Sequence, residues 1–409
     1  MKQTPDRQVT TVTAPLPSFP PRPGTIAEET SPCPALIRIA YRAFDRQYLI
    51  PDARIIDRGR PELWQVASDW QVFAVEQHDE PLTAGPGLLF TADVPDMHYF
   101  KGRGGRVLPL FRDSACLAAN IAPGLLKAIF KRLGVNATTQ DFLAYTAGIT
   151  AHSAYTRRFA AELRAPGIRV PLTADARLWS EAVSLGRQVL WLHTYGERCA
   201  DPAQGRKRGE PKLPPERRPK VVATIPDTTE DMPESISYDQ ATRTLHVGSG
   251  QIRPVSPQAW AYETSGMKIV RKWFGYRKKD PAGRRSSPLD DINAYRWPAR
   301  FTTELPDQLI GELPLTPLPG QAGRHRRHHI ACHLTRTGSW TGAPDNLGAA
   351  SAVSAVIRGI CAASTLGARG RTSHSPPVVG SSPTRPTCGT CQQPVGRLHP
   401  GEATSGISA

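Results

Sequence analysis

Apolar and polar residues alternate along "LIRIAYRAFDRQYLI" (36–50), the two-residue period of a strand with one buried face. Short strands of similar character are predicted at "WQVFAVEQ" (70–77), "GLLFTA" (87–92) and "GRVLPLF" (105–111), separated by Gly and Pro turns. The period then lengthens. In "APGLLKAIFKRLG" (122–134) the apolar positions Leu125, Leu126, Ile129, Phe130 and Leu133 form a helical stripe that stops at Gly134. "TTQDFLAYTAGITAH" follows, with Thr138 as N-cap and Asp141 three residues on, the spacing of a capping box. Further helices are predicted at 153–164 and 175–196. Strands return at "KVVATI" (220–225), "ESISYD" (234–239), "TRTLHVG" (242–248) and "MKIVRKWF" (267–274). Strands, then helices, then strands give an α+β fold, with mainly antiparallel sheet elements flanking a central helical block.

Composition sets the borders of that fold. Residues 1–34 are rich in Pro, Thr and Ser and read as a linker, and residues 35–310 carry the periodic patterns of a single folded domain. Residues 311–409 lose apolar periodicity, hold no lysine, and are dominated by Gly, Ser, Thr, Ala and Pro. Such a tail buries too little apolar surface to offset its ordering entropy, so both termini are expected to be disordered. No apolar run is long enough to span a bilayer, and the seven scattered cysteines make no disulfide framework. A cytoplasmic location away from membranes is the expectation.

Charge narrows the partner. With 51 basic against 36 acidic side chains the chain carries a net charge of +15, which favours a polyanion. The charge is most concentrated in "SGMKIVRKWFGYRKKDPAGRRSS" (265–287). There Lys268, Arg271, Lys272, Arg277, Lys278, Lys279, Arg284 and Arg285 face one acid, Asp280, with Trp273, Phe274 and Tyr276 among them. Cations interleaved with rings suit nucleic acid, whose phosphates take the charge and whose bases stack. The plainer alternative is an amphipathic strand with its rings in the core and a solvated cationic face. Trp273, between Val270 and Phe274, is expected in the core either way.

Catalytic chemistry is sparse. "GRGG" (102–105) lacks the Lys and the strand-to-helix setting of a nucleotide-binding loop. It reads as a hairpin turn, or as a phosphate-holding loop served by Arg103 and Arg106. The Asn-Pro-Pro-aromatic tetrapeptide of adenine methylation is absent from the sequence, as is a Gly-rich methyl-donor loop. Asp201, Glu210 and Lys212 imitate a nuclease motif but sit in a proline-rich loop, where coincidence explains them better. Cys388 and Cys391 supply half a zinc site; "RHRRHH", Cys332 and His333 lie some fifty residues away in low-complexity sequence. His78, His98, His152 and His193 are isolated and read as structural. No catalytic residue, metal site or cofactor is assigned.

Four stretches resemble a known family: "YRAFDRQYLIPDARIIDRGRPELW" (41–64), "PDMHYFKGRGG" (95–105), "DFLAYTAGITAHSAYTRRFAAELRAPGIRVPL" (141–172) and "SGMKIVRKWFGYRKKDPAGRRSSPLDDINAYRWP" (265–298). They are similar to the C-terminal specificity region of type ISP restriction-modification proteins and related adenine-specific DNA methyltransferases. The resemblance implies sequence-specific recognition of double-stranded DNA, in proteins where a nuclease, a motor and a methyltransferase precede this region. It makes this chain a truncated specificity fragment without catalysis of its own. Two alternatives stay open: a subunit giving specificity in trans to a separate methyltransferase or restriction subunit, and a non-functional gene remnant. The tail, with "RTSHSPPVVGSSPTRPT", resembles read-through of a transfer-RNA gene. The candidate DNA-binding residues are Lys268, Arg271, Lys272, Arg277, Lys278, Lys279, Arg284, Arg285, Arg103 and Arg106.

Overall fold

A computed structural model describes residues 15–26, 28–56, 59–77, 81–100, 105–151, 153–165, 167–264, 266–279 and 296–311. The architecture is α+β, and its sheets are antiparallel. The tail beyond 311, and with it the cysteine and histidine clusters there, lies outside the described residues.

The alternating stretch at 36–50 folds back on itself as a hairpin, β1 (Ile37–Arg42) against β2 (Asp45–Leu49). A register shift between Ala40 and Arg42 lets Phe44, at φ 57°, turn its ring inward. A short helix, α1 (Pro61–Trp64), leads to a three-stranded sheet ordered β4-β3-β5, made of β3 (Phe73–Glu76), β4 (Leu89–Thr91) and β5 (Arg106–Pro109). This sheet is covered on both faces, which explains its near-continuous apolar text. Ala74, Phe90 and Leu108 face one core, while Phe73, Val75, Leu89 and Val107 face another.

The first core is closed by the helical block α2 (Leu125–Leu133), α3 (Thr139–Thr150), α4 (Ser153–Arg158) and α5 (Ala176–His193). Thr138 and Asp141 form the expected reciprocal capping box, and the Asp175 side chain accepts from the N–H groups of Arg177 and Leu178 to start α5. Tyr145 stacks on Trp179 at 4.3 Å between ring centres. The stretch 153–164 is less helical than its pattern predicts: α4 stops at Arg158, and the chain re-forms only a 3-10 turn at Glu162–Arg164.

The second sheet runs β6-β9-β8-β7, from β6 (Lys220–Ala223), β7 (Ile236–Asp239), β8 (Thr244–Val247) and β9 (Gly250–Arg253). It packs Leu245, Val247 and Ile252 against α6 (Pro257–Ala261), α7 (Ile269–Gly275) and α8 (Ala299–Gly311). Strand β9 and helices α6 and α8 carry no sequence-level expectation. The stretch 267–274 corrects one: it was expected as a strand, but only Met267–Lys268 pairs, as β11 with β10 (Glu263–Thr264), before α7 begins. Ile269, Val270, Trp273 and Phe274, all buried, recur at spacings of one, three and one, a helical stripe rather than a two-residue alternation. The described residues of 15–34 adopt no helix or strand, yet Leu16 is buried. The buried Arg54 guanidinium bonds the carbonyls of Pro23 and Thr25 and pairs with Glu29 and Asp52.

Candidate nucleic-acid interface

Helix α7 lies at the joint between the core of the second sheet and the core beneath the β1–β2 hairpin. Val270, Trp273 and Phe274 enter the core of the second sheet, where Trp297 and Phe301 close around Trp273. Ile269, one position earlier, joins Met267 in the core beneath the β1–β2 hairpin. The expectation for the Trp273 ring holds: it is 3% exposed. Because the apolar stripe points inward in two directions, Arg271, Lys272 and Gly275 of the seven-residue helix are left to face water. Lys268, Arg271, Lys272 and Lys278 are exposed, and among the described residues none has a carboxylate partner.

Two of these cations are braced by rings. The Arg271 guanidinium lies 4.7 Å from the Trp260 ring centre, and the Lys272 ammonium lies 5.0 Å from that of Tyr276. Lys268 and Lys278 stand without such a support among the described contacts.

Two other members of the window are already engaged. Arg277 was grouped with the DNA-binding cations, yet it is only 5% exposed and forms a bidentate pair with Asp45 at 2.7 and 2.8 Å. Its guanidinium lies 4.1 Å from the Trp273 ring centre and 3.6 Å from Glu304. Burial pushes the Glu304 carboxyl up, with Arg277 opposing that shift. Arg277 therefore fastens α7 to the hairpin. Lys279 is half-buried; its ammonium donates to the Glu230 carbonyl at 2.7 Å and pairs with Glu234 at 3.4 Å. Arg284, Arg285 and Arg103 lie outside the described residues. Arg106 sits on β5 opposite Glu76, one residue before Val107, which shares the core that Ile269 enters.

The hairpin contributes residues that the sequence reading did not single out. Arg42 lies 3.9 Å from the Tyr41 ring centre, donates to the Tyr276 hydroxyl at 3.2 Å and pairs with Asp96 at 2.6 Å. Arg38 and Arg46 share Glu197, and they reach Asp93 and Glu210 respectively. These arginines lock the hairpin to the loop after α5. Both acids of the imitated nuclease motif are held by arginines outside it: Asp201 pairs with Arg206, and Glu210 with Arg46, while Lys212 is exposed.

A cavity of about 90 Å³ between the three-stranded sheet and helices α2 and α3 is lined mainly by Leu88, Leu108, Leu125, Phe142, Leu143 and Ile168. Among the described residues no three His, Cys, Asp or Glu side chains gather as a metal site. No described helix is long and apolar enough to cross a membrane.

An α+β domain built on a three-stranded and a four-stranded antiparallel sheet, with exposed cations on and beside a helix shared by two cores, is the class these features define. Residues 3–308 match the Type ISP C-terminal specificity domain, and the chain belongs to that family. Among solved structures, the chain in the DrdV–DNA complex, determined by cryo-electron microscopy, superposes with a TM-score of 0.51 at 16% identity. That likeness covers 76% of this chain and 29% of the other, and at such identity it speaks for the fold alone. A nuclease-deletion mutant of the Type ISP restriction-modification enzyme LlaGI, in complex with a DNA substrate mimic, gives a TM-score of 0.45 at 18% identity over 68% of this chain and 23% of that one. The chain thus spans under a third of the length of either solved relative. A comparison with curated proteins returned no match.

Proposed function

We propose that this chain binds double-stranded DNA and supplies target specificity to a restriction-modification system, with methyl transfer and cleavage performed by polypeptide outside it. The observation that carries the reading is the exposed, unpaired set Lys268, Arg271, Lys272 and Lys278 on and beside a helix whose apolar face is fixed in two cores. A free cation on a rigid support can neutralise phosphate without first breaking an internal ion pair, which Arg277 and Lys279 would have to do. Membership of a specificity-domain family and the DNA held by the solved relatives support the same partner.

The test is a salt titration of duplex binding by the full chain. With three or four of these cations on phosphate, they contribute about −2.7 to −3.6 to the slope of log K against log salt, at roughly −0.9 per contact. Replacing Lys268, Arg271, Lys272 and Lys278 by Ala is expected to flatten the slope by about that amount while leaving the circular dichroism spectrum unchanged. A folded quadruple variant with the parental affinity and slope would reduce the surface to a solvated face.

A further inference from the structure

We infer that Arg271 is a base-reading residue, whose guanidinium is held by Trp260 to receive the O6/N7 edge of a guanine in the major groove; this rests on the DNA-binding reading above. Its neighbours on α7 are lysines, compact charges on flexible stems that suit phosphate. Arg271 alone among the four unpaired cations carries a planar fork of donors, and its central carbon lies over the Trp260 ring. The brace is built in layers. The Arg271 guanidinium lies 4.7 Å from the Trp260 ring centre, and Trp260 stacks on Tyr238 at 5.6 Å with 28° between the rings. Tyr238 in turn donates its hydroxyl proton to the Val255 carbonyl at 2.9 Å, and Trp260 packs on the second core.

A phosphate contact gains little from such an arrangement, since phosphate oxygens accept from many directions. A bidentate pair with guanine needs two parallel N–H groups in one plane, so a pre-set plane lowers the ordering cost of that pair. None of the hydrogen bonds or ion pairs among the described residues uses the Arg271 donors, and the side chain is exposed. Trp260 is therefore a positioning residue: it acts through Arg271.

The experiment selects duplexes from a random-sequence pool with the full-length chain and reads both the enriched motif and the affinity for bulk duplex. Arg271→Lys keeps the charge. Read as the ratio of motif to bulk affinity, in which a general loss of binding cancels, one guanine in the enriched motif is expected to lose preference by roughly tenfold to a hundredfold, the size of a bidentate base contact. Trp260→Leu, which removes the flat support but no charge, is expected to lose the same guanine, and Trp260→Phe to restore most of the preference. An unchanged motif with Arg271→Lys overturns the inference and leaves Arg271 as a phosphate contact within a sound DNA-binding domain. Should the unsubstituted chain bind no duplex at any salt, the DNA-binding reading falls and this inference falls with it. Arg271→Lys alters only an exposed head group, so it remains informative even where Trp260→Leu fails to fold.

Discussion

The imidazole of His193 lies at the end of α5, with the Phe44 ring edge-on at 5.0 Å and Phe90 at 5.8 Å. Its Nδ1 is buried and has no hydrogen-bond partner among the described residues, and burial pulls its pKa down to about 3. In the unfolded chain a histidine titrates near 6.5, so between those two values the unfolded state binds the proton that the folded state refuses. Stability contributed by this site is complete above the unfolded value and is lost as pH falls towards 3. Between pH 6.5 and 5 the loss amounts to about 2 kcal/mol, at roughly 1.4 kcal/mol per pH unit. His193→Leu replaces the ring with an apolar side chain in an apolar pocket and is expected to flatten the fall in melting temperature over that window. An acid limb of unchanged steepness would place the titrating group elsewhere. The isolation of this histidine was legible in the sequence; its burial against two rings was not, because Phe44 is brought there by an irregular hairpin turn.

At the scale of elements, the helical block depends on how closely α3 and α5 approach. A Cβ on Gly186 would lie 1.5 Å from the Ala144 carbonyl oxygen, and one on Gly148 would lie 2.3 Å from that of Ala182. Both obstacles are backbone, so relief requires moving a helix and not merely turning a side chain. Gly186→Ala is expected to destabilise the domain by about 3 kcal/mol or more, at the upper end of overpacking effects, measured by urea denaturation. A cost under 1 kcal/mol would mean that the helices separate freely. Glycine within a helical pattern is visible in the sequence but costs about 1 kcal/mol relative to alanine whatever its neighbours, so text alone does not reveal which helix it admits. The same limit explains α7. Its period was present in Ile269, Val270, Trp273 and Phe274, but a β-branched pair followed by two aromatics also suits a strand. The capping box at Thr138, by contrast, is a purely local device, and it forms where its spacing predicts. Of the cationic window, sequence could count the charges. Only the fold distinguishes Arg277 and Lys279, held by acids and carbonyls from distant segments, from the four cations left exposed.

Across the whole described domain, α7 is shared property. The core of the second sheet takes Val270, Trp273 and Phe274, the core under the hairpin takes Ile269, and the Arg277–Asp45 pair adds a charged fastening across the same joint. Asp45 and Arg277 are 3% and 5% exposed at their side chains, so neither can be rehydrated while the joint stays closed. A helix whose contacts are divided in this way cannot keep one core intact when the other melts, which predicts a single cooperative transition with matching calorimetric and van't Hoff enthalpies. Asp45→Ala leaves a buried guanidinium without its principal partner, at an expected cost of about 3–5 kcal/mol. Since that cost falls at the joint, the transition of this variant is expected to broaden or divide, with the calorimetric enthalpy exceeding the van't Hoff value. Replacing both partners by apolar residues, Asp45→Leu with Arg277→Met, removes the uncompensated charge and is expected to recover most of the stability and the single transition. The double variant also bears on DNA binding. It leaves Lys268, Arg271, Lys272 and Lys278 untouched, so its salt slope on duplex DNA should equal that of the parent chain. A slope flattened by about 0.9 in the folded double variant would count Arg277 among the phosphate contacts after all, and would require the joint to open on binding.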